Sequence, residues 1–157
     1  MNIVGFTIKN GIQPPNTYSY GGGIRNEEGV VSVENSTITD NSAEYGGGIY
    51  TSGTLNLKGV TVKNNRATPD NGGGIHTSHE MFSPYIPLLT IENSTISNNY
   101  AENGGGICSQ GPTTLHGVIV ENNHANGYGG GIDINAPTAT IEDSFKEATL
   151  QWVVVVE

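Results

Sequence analysis

Gly46-Gly47-Gly48-Ile49-Tyr50-Thr51-Ser52-Gly53-Thr54-Leu55-Asn56-Leu57-Lys58-Gly59-Val60-Thr61-Val62-Lys63-Asn64-Asn65-Arg66-Ala67 holds three short β-prone runs separated by turn residues. Leu55 and Leu57 alternate with Asn56 and Lys58, and Val62 stands between Thr61 and Lys63, which is the period of half-buried strands. The pattern then begins again. Gly-Gly-Gly-Ile starts at Gly21, Gly46, Gly72, Gly104 and Gly129, at intervals of 25, 26, 32 and 25 residues. A repeat of this length predicts a solenoid in which each unit rests on the last.

Finer columns run through the repeat. Ile3, Val33, Leu57, Ile91, Leu115 and Ile141 align as inward residues. Two residues later stand Gly5, Asn35, Gly59, Asn93, Gly117 and Asp143, all types that tolerate the left-handed backbone of a tight corner. Ile8, Ile38, Val62, Ile96 and Val120 form a second apolar column, followed three residues on by Asn41, Asn65, Asn99 and Asn123. An inward column of amides satisfies corner backbone that burial would leave unpaired. The expected fold is therefore all-β: a right-handed parallel β-helix of about six three-strand coils over residues 1–143. Residues 144–157 read as a C-terminal cap or association segment. There Ser144-Phe145-Lys146-Glu147 has the capping-box pattern of a short helix, and Gln151–Val156 is a β-prone run. Solenoid ends expose unpaired strand edges, so self-association through the ends is expected.

Composition narrows the function classes. Fifteen acidic residues face six basic ones, a formal net charge of −9. This argues against nucleic acid, which needs cationic side chains to meet phosphates, and against docking on an anionic membrane. No apolar run of about 18 residues is present to insert in a membrane as a helix. The N-terminus reads as the middle of a repeat, without the basic and apolar regions of a signal peptide. One cysteine, Cys108, precludes an internal disulfide framework.

The recurrent Gly-Gly-Gly-Ile and the recurrent apolar-x-x-Asn, as in Ile38-Thr39-Asp40-Asn41 and Ile96-Ser97-Asn98-Asn99, resemble a known repeat pair. They are similar to the GG-aliphatic and aromatic-x-x-Asn repeats of polymorphic outer-membrane proteins and related bacterial β-helix proteins, with Ile or Val in place of the usual Phe. The resemblance covers residues 1–143. It implies a secreted or cell-surface protein used for adhesion or carbohydrate binding. Pectate-lyase-like relatives of the wider group are polysaccharide lyases or hydrolases.

Candidate sites follow from departures from the repeat. The long coil between Ile75 and Gly104 gains about seven residues around His76–Pro87, and insertions in solenoids become surface loops, often on the binding side. His76, His79, Phe82 and Tyr85, with Tyr50, are the expected ligand-binding residues, the aromatic rings offering stacking faces for a glycan. Tyr20, Tyr45 and Tyr128 each precede a Gly triplet and read as corner packing or as a stripe for a polysaccharide. Glu44, Asp70 and Glu102 stack acid on acid, a candidate calcium site, since calcium favours carboxylate and carbonyl oxygens. The alternative is exposed carboxylates screened by water. Glu34, Lys58, Glu92, His116 and Glu142 instead form a charge-alternating ladder.

Arg25, Tyr50, His76, Cys108 and Asp133 fall in one outward column. If the chain were an enzyme of the pectate-lyase-like group, Arg25 and Asp133 would be its catalytic candidates. The column lacks a paired-carboxylate signature, so a non-enzymatic scaffold binding glycans or other surfaces is the leading expectation. A purely structural piece of a larger surface protein is the third.

Overall fold

In a computed structural model of the chain, residues 1–12, 18–80 and 83–144 are described. Twenty short strands occur among them and no helix, in four sheets whose pairings are all parallel. The long sheet stacks Asn2–Val4, Val30–Glu34, Thr54–Lys58, Leu88–Glu92, Thr113–His116 and Ala139–Glu142, one strand from each of six windings. The second stacks Thr7–Lys9, Thr37–Thr39, Thr61–Lys63, Thr95–Ser97 and Ile119–Glu121. The sheet following the Gly triplets stacks Ile24–Asn26, Ile49–Thr51, Ile75–Thr77, Ile107–Ser109 and Ile132–Ile134. The chain is a right-handed parallel β-helix.

Four of the windings carry one strand more than the three expected. Ser42–Ala43, Arg66–Ala67, Tyr100–Ala101 and His124–Ala125 form a fourth, narrow sheet just after the Asn column. Its strands are two residues long, held by bonds such as Arg66 N–H to the Asn41 carbonyl (2.9 Å) and Tyr100 N–H to the Asn65 carbonyl (3.0 Å). Two residues are too few to display a strand period, although the buried Ala43, Ala67, Ala101 and Ala125 line up as a column of their own.

The core is shared along the axis. Val33 pairs with Leu57, Leu57 with Ile91, Ile91 with Leu115 and Leu115 with Ile141. Ile38, Val62, Ile96 and Val120 stack in the second sheet, and Ile49, Ile75, Ile107 and Ile132 in the third. Nearly all are fully buried, and each such side chain contributes about 2 kcal/mol of apolar transfer. Where Thr113 replaces Leu in the register, its hydroxyl is satisfied by the Gly111 carbonyl (2.9 Å) and the Ser109 hydroxyl (2.8 Å).

At one corner the asparagines bond in series. Asn65 Oδ1 accepts the Asn41 backbone N–H and the Asn41 Nδ2–H, both at 3.0 Å. Asn65 Nδ2 donates to the Ile38 carbonyl (3.0 Å) and to Asn99 Oδ1 (3.1 Å). Asn99 and Asn123 repeat the arrangement, while in the first coil Gly11 offers only its N–H, to Asn41 Oδ1 at 2.9 Å. The Gly triplets lie against this column. A methyl group on Gly48 would sit 2.6 Å from the Gly74 carbonyl oxygen and 3.0 Å from the Asn65 side chain.

The opposite corner alternates from coil to coil. Positive φ holds at Gly5, Asn35, Gly59, Asn93, Gly117 and Asp143, as their residue types predict. The residue after Asn or Asp is always serine. Ser36 Oγ donates to the Glu34 carbonyl and accepts the Phe6 N–H of the coil below, and Ser94 and Ser144 do the same for Val60 and Val118. Serine coils thus alternate with Phe or Val coils. Charge alternates in step: Lys58 lies opposite Glu34 and Glu92, bridging Glu92 at 3.7 Å, and His116 stands 3.7 Å from Glu142.

Candidate functional site: an aromatic groove on the outer face

The strands that follow the Gly triplets alternate inward isoleucines with one outward residue. In the register these outward residues are Arg25, Tyr50, His76, Cys108 and Asp133, neighbours in that order. Outward here does not mean exposed. Tyr50 is 3% and His76 2% exposed, because Tyr20 and Tyr45, from the segments entering two Gly triplets, fold over this face. The Tyr20 and Tyr45 rings stack at 5.3 Å between centroids. Tyr50 tilts against Tyr20 at 4.7 Å, and His76 completes the cluster at 5.6 Å from Tyr45 and 5.7 Å from Tyr50.

These rings wall a groove of about 470 Å³. Its polar rim comes from Arg25 and Glu27, from Asn71, and from Ser78, Glu80 and Gln110. Arg25 pairs with Glu27 and places its guanidinium 5.1 Å from the Tyr20 ring centre. Glu80 accepts the Tyr50 hydroxyl at 3.2 Å. The insertion supplies that wall: Ser78 N–H is tied to the Thr51 carbonyl (2.9 Å), and His79 N–H to Gln110 Oε1 (3.1 Å).

Burial sets the titration of the wall. It pushes the Tyr50 hydroxyl up to about 12, with Glu80 adding to the shift, and the Tyr45 hydroxyl up to about 12, where Asp70 adds to it. Both stay neutral hydrogen-bonding groups at ordinary pH. Burial holds the His76 imidazole down to about 4, so it too is neutral, and its Nδ1 is buried with no hydrogen-bond partner. A buried polar atom without a partner costs about 1–3 kcal/mol. The neighbouring Cys108 thiol is pushed up to about 12, by burial first and then by Asp133, and is a poor nucleophile. Burial also raises the Asp133 carboxyl.

Of the residues expected from sequence, Tyr50 and His76 lie in the groove wall. His79 and Tyr85 are exposed and outside it, and Phe82 falls outside the described residues. Tyr128 is 66% exposed, away from the cluster. Arg25 and Asp133 share the column but stand four strand spacings apart, about 19 Å, so no single bond under attack spans them. Glu44, Asp70 and Glu102 each find separate company: Glu44 Oε2 accepts the Ser19 N–H (3.2 Å), Glu102 Oε2 accepts Asn126 Nδ2–H (3.2 Å), and Asp70 lies beside the Tyr45 hydroxyl. No cluster of three or more His, Cys, Asp or Glu placed to hold a metal occurs among the described residues. Gln110 enters the groove without having been expected there, and Tyr20, read from the sequence as corner packing or part of a polysaccharide stripe, lies in its wall. The repeated Tyr before the triplet was the available signal. Elsewhere, the first coil leaves an apolar hollow of about 390 Å³ lined by Met1, Ile3, Phe6 and Ile8.

The family model of the Chlamydia polymorphic membrane protein repeat matches residues 35–52 and 93–110. Both segments begin at the Asn of a serine coil, so the repeats do resemble those of the polymorphic membrane proteins. A probable outer membrane protein, PmpB, from Chlamydia muridarum is 34% identical over 46% of this chain, and the match covers 5% of that protein. The chain therefore corresponds to a small part of that relative's length. No solved structure matches. Both matches agree with the cell-surface location and scaffold character that the repeat resemblance implies.

Proposed function

We propose that this chain is a non-enzymatic β-helix scaffold of the cell surface that binds glycans through the groove walled by Tyr20, Tyr45, Tyr50 and His76. The observation that carries the reading is the combination of stacked tyrosine faces with a polar rim in one concavity. Aromatic faces take the C–H faces of sugar rings, and the rim of amide, hydroxyl, carboxylate and guanidinium groups suits sugar hydroxyls. The strands beneath are fixed by ladders on both sides, so the groove is formed before any ligand arrives, which lowers the entropy lost on binding.

Two features support a binding over a catalytic role. The Cys108 thiol is buried and protonated, and the catalytic candidates Arg25 and Asp133 do not converge. The test is calorimetric titration of the protein with a panel of neutral, acidic and amine-bearing oligosaccharides, beside a Tyr20→Ala variant of matched circular dichroism. Binding to at least one class, weakened tenfold or more in the variant, is expected. Silence across the panel removes the glycan reading. New unsaturated or reducing ends in the same mixtures would establish an enzyme instead.

A further inference from the structure

The charges of the groove select among sugars, and this step rests on the glycan reading above. Arg25, the cation of the rim, is already engaged by Glu27 and seated over Tyr20. Among the described residues Glu80 has no ion-pair partner, and its side chain bonds to the neutral Tyr50 hydroxyl. Asp70 adds a second negative charge beside Tyr45. His76, kept uncharged by burial, contributes no positive charge, and its partnerless Nδ1 leaves the wall short of a polar contact. A uronate or sulfated sugar would bring an anion against Glu80 in a chain of net charge −9. A protonated amine would meet a carboxylate together with the negative faces of tyrosine rings, two attractions that reinforce one another in a partly dry groove.

We propose that the groove binds amino-sugar units, the protonated amine lying between Glu80 and the tyrosine rings, and that it discriminates against uronic-acid sugars. Titration of the whole chain with oligomers of glucosamine, N-acetylglucosamine and galacturonic acid, at mildly acid pH and moderate salt, tests this. Glucosamine oligomers are expected to bind about tenfold or more tighter than either of the others, a difference of about 1.4 kcal/mol. Glu80→Gln, at an exposed position, should remove most of that preference. Glu121→Gln, in a different sheet, should leave it intact. Equal losses in the two variants would show attraction to the general negative charge and overturn the proposal. So would tighter binding of the N-acetylated or acidic oligomer, or indifference to Glu80→Gln. In those cases the glycan groove itself stands, whereas failure of all three oligomers to bind removes both readings.

Discussion

Replacing Asn65 by alanine should be far more damaging than the same change at Asn41, the first-coil end of the amide column. Asn65 is 1% exposed and sits between two neighbours of its kind. The substitution removes the acceptor of the Asn41 backbone N–H and of the Asn41 side-chain amide, and it strips the Ile38 carbonyl of its side-chain donor. The Asn41 amide keeps a bond to the Ile8 carbonyl, and Asn99 Oδ1 keeps the Asn65 backbone N–H, so two groups lose most. At about 1–3 kcal/mol for each buried group left unpaired, the loss is about 4 kcal/mol. With a urea slope of about 2 kcal/mol/M, the unfolding midpoint should fall by about 2 M. Asn41→Ala should cost less than half as much, because it frees Gly11 N–H and the Ile8 carbonyl in the first coil, where both residues are only half-buried and water can replace the amide. Asn65→Asp should not rescue the loss, since a carboxylate keeps the acceptor but sets oxygens against the Ile38 carbonyl and Asn99 Oδ1. Urea unfolding followed by far-ultraviolet circular dichroism measures all three. If Asn65→Ala unfolds within about 1 kcal/mol of the parent, or if Asn41→Ala costs as much, the column does not carry the stability assigned to it.

Gly48→Ala should cost about 2–3 kcal/mol, through its clash with the Gly74 carbonyl and the Asn65 side chain. Gly5→Ala, with φ +74 but nothing within 4 Å, should cost about 1 kcal/mol from backbone strain alone; equal thermal shifts would contradict this. His76, held near 4 when folded against about 6.5 when unfolded, binds its proton more readily in the unfolded chain. Its contribution is therefore complete above about pH 6.5 and is lost as pH falls towards 4, about 3 kcal/mol in all. In His76→Phe this part of the stability–pH curve should flatten, and a parallel curve would refute the assignment. Cys108 should react with iodoacetamide at mildly alkaline pH at least a hundredfold more slowly in the folded chain than in denaturant, as mass spectrometry would show.

How far the sequence could be read depended on whether a feature repeats in side chains. Val62 over Ile38, or Asn65 over Asn41, is legible because parallel in-register stacking demands the same solution in every coil, and the φ-tolerant corner at Asn35, Gly59 and Asn93 is legible for the same reason. The fourth strand escaped because Arg66–Ala67 and its counterparts are two residues long, too short to show a period, although Ala43, Ala67, Ala101 and Ala125 recur as a buried column. The groove was half legible. Tyr50 and His76 stand in a strand column whose face could be counted, but Tyr20 and Tyr45 cross over that face from a corner, and corner geometry depends on φ values that composition does not encode. The insertion announced itself by length. Which of its residues faces the groove was set by Ser78 and His79 bonding to Thr51 and Gln110, contacts between coils that no local pattern specifies.

The alternating corner serines and ladder charges give this solenoid a natural quantum of two windings. Excising one winding would seat Glu34 directly over Glu92 and set one serine-bearing bend upon another, whereas excising two restores the phase. The two segments that match the polymorphic membrane protein repeat lie one such doublet apart. Shortened or lengthened forms should therefore be tolerated in even steps and resisted in odd ones.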